Sequence, residues 1–68
     1  MSSDETTDLP RGIGAPATGA FKLAGYTRLE QFTEARTKDL LALHGVGPKA
    51  IGIIRRALAD RGLSFKDD

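Results

Sequence analysis

Large apolar residues along this chain come at helical spacing, separated by glycines, threonines and prolines that punctuate it into short pieces. From residue 48 onward, Ala50, Ile51, Ile54 and Leu58 fall within about 100° of arc, the stripe of a helix that buries one face. Pro48 suits the first helical position, Gly62 the stop just past the end, and Leu63 the apolar contact that closes such a stop. The pattern predicts a helix over 48–61. Upstream, a helix over 16–24 would stop at Gly25. Thr27 followed three positions later by Glu30 reads as a capping box, predicting a helix over 28–35. Thr37 would cap a short helix over 38–43. No segment alternates as a strand does. An all-α fold of four to five short helices is expected. Its core would be Ile13, Phe21, Tyr26, Leu29, Phe32, Leu40, Leu43, Val46, Ala50, Ile51, Ile54, Leu58, Leu63 and Phe65. Ile53 lies off the main stripe and is read either as packing in the bundle or as an exposed contact.

A shift of 33 residues, 45 minus 12, lays Gly12-Ile13-Gly14 over Gly45-Val46-Gly47. It also matches Ala17 with Ala50, Gly19 with Gly52, Phe21 with Ile54 and Lys22 with Arg55. Proline stands near both helix starts, as Pro16 and Pro48. The chain therefore reads as two hairpin-plus-helix units sharing one core. In each, the apolar residue between two glycines would plug the turn into the core. Backbone N–H groups at such a turn and helix start form an anion site, and Lys49 stands beside the second one.

Composition narrows the classes. Sixty-eight residues make one domain, which buries only about 60% of its unfolded surface. With no cysteine and one histidine, neither a disulfide framework nor a metal site is expected. No apolar run approaches the roughly 20 residues of a membrane span. The formal charge of +1 is unevenly placed. Residues 1–8 hold Asp4, Glu5 and Asp8 and no large apolar side chain beyond Met1, and are expected to be a disordered acidic tail. Residues 9–66 form the domain, with ten Lys or Arg against Glu30, Glu34, Asp39 and Asp60, a balance of 10 − 4 = +6. Residues 67–68 are read as a second short tail. A basic body suits a polyanion, although it also serves plain solubility.

The hairpin Gly45-Val46-Gly47-Pro48-Lys49 with its following helix resembles the second half of a helix-hairpin-helix motif. Residues 9–66 as a whole resemble the C-terminal domain of the bacterial RNA polymerase alpha subunit. The likeness rests on Ala24-Gly25-Tyr26, Thr27-Arg28-Leu29-Glu30-Gln31-Phe32, Asp39-Leu40-Leu41, the second hairpin, and the ending Leu58-Ala59-Asp60-Arg61-Gly62-Leu63-Ser64-Phe65. It implies a helical bundle with helix-hairpin-helix elements that binds A·T-rich minor grooves, grips the backbone near the last hairpin, and meets transcription activators. Gly47 and Lys49 match the phosphate-contacting positions. The family's groove-reading arginine falls on Pro16, an asparagine one turn on falls on Gly19, and a helping serine falls on Ala50. The resemblance thus implies backbone grip with little sequence preference. The polymerase portion that precedes the family's domain is not in this sequence, so a small stand-alone relative or a fragment of another protein is expected.

Catalysis is not expected. The spacing Gly45-x-Gly47-x-x-Ala50 formally fits a dinucleotide fingerprint, but no strand precedes it. His44 reads as a turn residue, and Glu30 with Glu34 as a solvated pair lacking the burial that tunes an acid. The site expected for DNA comprises Gly45, Val46, Gly47 and Lys49, with Gly12, Gly14, Arg11, Arg55 and Arg56 flanking. The expected partner is double-stranded DNA, met by a cytoplasmic, nucleoid-associated monomer without cofactor or membrane. The alternative is a protein-interaction module that kept the fold and lost DNA contacts.

Overall fold

The computed structural model describes residues 9–68. The expected tail over 1–8 lies outside them. Among the described residues the fold is all-helical, without strands. A 3-10 turn, Arg11–Ile13, leads into α1, Ala15–Leu23. A 3-10 helix, Leu29–Glu34, and the short α2, Thr37–Leu41, follow, and α3, Pro48–Asp60, is the longest element.

Both long helices end as their glycines foretell. Gly25 and Gly62 take left-handed φ values of 95° and 74°. Tyr26 N–H then donates to Phe21 C=O at 2.7 Å and Leu63 N–H to Leu58 C=O at 2.8 Å, the closing bond of a Schellman cap. Each cap satisfies carbonyls that the helix end would otherwise orphan.

The core gathers around Phe32. Phe21 and Phe65 meet its ring edge-on, with centroids 5.1 and 6.2 Å away, and Tyr26 stacks on it at 5.0 Å. Such pairs add about 0.5–1.5 kcal/mol each beyond their burial. Leu40, Ile54 and Leu58 complete the fully buried set. Every expected core residue is buried or packed against the buried cluster, and Ala17 and Ala35 join them. Ile53 is packed as well: its Cδ1 lies 3.4 Å from where a Cβ on Gly12 would stand. The first reading of Ile53 holds, and α3 touches the 3-10 turn there. No helix of the described residues is long and apolar enough to cross a membrane.

Three local expectations are corrected. The helix expected over 28–35 is a 3-10 helix over Leu29–Glu34. Its buried residues are Leu29 and Phe32, with Ala35 buried just beyond its end, a strict spacing of three. Three residues per turn is the 3-10 period, so only that helix puts all three on one line. The cap shifts with it. Arg28 is the N-cap, and Gln31, not Glu30, reaches back: its Oε1 accepts from Thr27 N–H at 2.7 Å and Arg28 N–H at 2.8 Å. Glu30 stands exposed, 3.9 Å from Arg28 Nε. Finally, α2 begins at Thr37 and ends at Leu41, and Thr37 is its first residue, not its cap.

The group that takes over at α2 comes from the other end of the chain. Asp67 accepts from Thr37 N–H at 3.1 and 3.2 Å and from Thr37 Oγ1 at 2.8 Å. A carboxylate there offsets the orphan amides and partial positive charge of a helix start. Phe65 is buried, and Lys66 N–H donates to Ala35 C=O at 2.9 Å. Residues 67–68, read as a short tail, are bonded to the body, Asp67 at Thr37 and Asp68 at Arg55.

Candidate nucleic-acid interface

The second hairpin runs over residues 42–47, between α2 and α3. Leu43 N–H donates to Leu40 C=O and Val46 N–H to Leu43 C=O, which turns the chain back on itself. Val46 is buried, the plug that its place between two glycines suggested. Its amide is spent inside the turn, so Val46 supports the site by packing and offers no donor to a phosphate. That corrects the expectation that Val46 itself contacts DNA.

The two glycines of the hairpin do different work. Gly45 takes φ +93°, and a Cβ on it would stand 2.9 Å from the Pro16 carbonyl oxygen. It is the residue that lets the hairpin press against the start of α1. Gly47 takes an extended φ of −122° at the N-cap of α3, and a Cβ there would meet nothing within 4 Å. No side chain caps α3. Pro48 occupies its first turn and brings no N–H, so Lys49 and its neighbours carry the unsatisfied donors of that helix end.

Lys49 and Arg56 are both exposed. Seven residues at 100° each bring them round to within about 20° of one another, about 10 Å apart along the axis. Gly52 lies between them on that side of the helix, exposed, with open space where a Cβ would be. The Ile53 contact sets the 3-10 turn alongside the same helix at Gly12, and Arg11, Gly12 and Gly14 are all exposed. Gly14 takes φ +88° and is the N-cap of α1.

Arg55 is set apart from this group. It projects about 120° around α3 from Lys49. Its guanidinium lies over the Phe65 ring, 5.5 Å from the centroid. Nε donates to Asp68 Oδ2 at 2.8 Å, and a second nitrogen donates to Oδ1 at 3.2 Å. The Asp68 hydrogen bonds are the main cause that raises the Arg55 pKa above its ordinary value. The structure thus brings Gly47, Lys49 and Arg56 together with Gly45 and the flanking 3-10 turn, and turns Arg55 toward the C-terminus. Asp67 and Asp68 gave no sequence signal beyond their charge.

A second feature lies between α1 and the hairpin. Ala20, Leu23, Ala24, Leu43 and His44 line an open groove of about 250 Å³, almost wholly apolar. Leu23 on its rim is 93% exposed. The spacing of Ala20, Leu23 and Ala24 on one helix face was the available signal, masked by the small size of alanine. Among the described residues, no three His, Cys, Asp or Glu side chains gather so as to hold a metal ion.

Comparison with family models, with curated proteins and with solved structures finds no match to this chain.

Proposed function

We propose that this chain is a small non-catalytic domain that grips the phosphate backbone of double-stranded DNA. The carrying observation is the start of α3: an extended, uncapped glycine N-cap, a proline without N–H, and exposed Lys49 and Arg56 along one side of the helix. Orphan amides at a helix start favour an anion, and two cations about 10 Å apart add charge without reading bases. The open positions at Gly47 and Gly52 allow close approach. The likeness to the polymerase alpha C-terminal domain supports this reading and adds a transcriptional setting. Pro16, standing where that family has its groove-reading arginine, supports weak sequence preference.

The test is a titration with A·T-rich and G·C-rich duplexes at several salt concentrations, followed by backbone amide resonances. The amides of Gly45, Gly47 and Lys49 should shift. Lys49→Ala should weaken binding on both duplexes alike and lower the log–log salt slope by about 0.9. Unchanged affinity and slope in Lys49→Ala would remove the hairpin as the DNA site.

The groove beside Leu23 favours a second reading, a protein-docking module. The observation that favours it is an almost fully exposed leucine on the rim of an apolar groove. Amide shifts confined to Ala20, Leu23 and Leu43 in the presence of a candidate protein, with none at Gly47 or Lys49 on adding DNA, would favour it.

A further inference from the structure

We propose that the C-terminal pair Asp67 and Asp68 is an intramolecular strap that occupies Arg55 and competes with an external polyanion for it. The proposal rests on the DNA reading above. The strap is a built contact with three fastenings. Phe65 is buried under the Arg55 guanidinium. Asp67 is bonded to Thr37 through backbone and side chain. Asp68 engages Arg55 with both oxygens, at 2.8 and 3.2 Å. The first two hold the chain so that the Asp68 carboxylate is presented to the guanidinium in the planar, two-point geometry that a phosphate would otherwise use.

The contact is poised to open. Arg55 keeps 47% of its side chain exposed and Asp68 27%, so a phosphate can approach the pair from solvent. Exposed pairs of this kind contribute little to stability, which leaves them displaceable. Arg55 lies on the same helix as Lys49 and Arg56, one position from the latter. One position is about 100° of helix, so once Asp68 is displaced Arg55 offers a further cation on an adjoining side of α3. Asp68 thus sets a modest threshold for an incoming phosphate, within the small worth of an exposed ion pair.

The experiment uses the full chain and a double-mutant cycle of Asp68→Asn and Arg55→Ala, titrated with one labelled duplex at several salt concentrations. Asp68→Asn should bind about two- to fivefold tighter than the parent, the range set by an exposed ion pair. Its salt slope should match the parent's, because with Asp68 displaced both make the same phosphate contacts. In the Arg55→Ala background the same change should give no gain. In the parent, added duplex should move the Thr37 amide and Arg55 Nε–H resonances toward their positions in Asp68→Asn. A parent that binds DNA while Asp68→Asn binds no tighter overturns the strap and leaves the DNA reading standing. An equal gain in the Arg55→Ala background also overturns it, because general charge then suffices. If neither parent nor variant binds duplex at low salt, the DNA reading falls and the competitor role falls with it.

Discussion

The two glycine-flanked halves of the molecule share a burial code and differ in backbone. Ile13 and Val46 are buried alike, as are Ala17 with Ala50 and Phe21 with Ile54. Gly14 and Gly47 both stand at a helix N-cap. Yet the left-handed residue changes place: Gly14 in the first half, Gly45 in the second. The cause lies in what precedes each helix. The first half arrives through a 3-10 turn and reverses only at the N-cap, whereas the second arrives from α2 and reverses before its plug residue. The charges differ too, since α3 carries Lys49 and Arg56 on one side while α1 carries only Lys22. A Gly-x-Gly pattern thus specifies that the chain turns and plugs the core. Which glycine bears the unusual φ, and whether the turn can hold an anion, depends on the neighbours.

The largest expected effect tests the shared code. Val46→Asp and Ile13→Asp each place a carboxylate among apolar side chains, at a cost of at least about 3 kcal/mol. A chain of this length has a total stability of only about 3–10 kcal/mol. Both variants should lose cooperative thermal melting, and a folded Ile13→Asp would show that the first half contributes little to the core.

Next comes the contrast within one hairpin. Gly45→Ala combines a left-handed φ with a contact to the Pro16 oxygen, and should cost about 2–4 kcal/mol. Gly47→Ala, extended and uncrowded, should stay within about 0.5 kcal/mol, as a weaker N-cap residue is offset by a stiffer unfolded chain. Denaturant midpoints of the pair measure the difference, and equal midpoints would refute the division of labour between the two glycines.

A smaller effect separates the halves by function. Gly19→Ala and Gly52→Ala both add a Cβ into open space inside a helix, and each should raise stability by about 0.5–1 kcal/mol. Only Gly52→Ala should weaken duplex binding, because it fills the gap between Lys49 and Arg56. Equal binding by the two variants would detach α3 from the interface.

The smallest concerns acid. Thr37's backbone and side-chain hydrogen bonds, with a lesser attraction from Arg55, hold the Asp67 carboxyl below its ordinary value of 3.8. A lowered folded-state pKa stabilises above the unfolded value and is lost as pH falls through the folded one. Melts of parent and Asp67→Asn should therefore differ by a constant amount above about pH 5 and converge well below pH 4. A difference that persists in strong acid would mean that Asp67 acts by packing alone.

Much of this was open to a reader of the chain. Gly25 and Gly62 marked both helix ends, Pro48 marked the first turn of α3, and the apolar positions named nearly the whole core. These signals are local: a helix end or a buried stripe is written within a few neighbouring residues. The 3-10 helix was also written there, in the spacing of three from Leu29 to Phe32 to Ala35, but the competing Thr27–Glu30 cap pointed to an α-helix. What tertiary structure alone decided were pairings between distant residues. Asp67 reaches Thr37 across 30 positions and Asp68 reaches Arg55 across 13. Gly45 meets Pro16 only because α1 and the hairpin share a core. A short-range pattern carries no record of such partners. They are fixed when the rings of Phe21, Phe32 and Phe65 close together and bring with them the polar groups on either side.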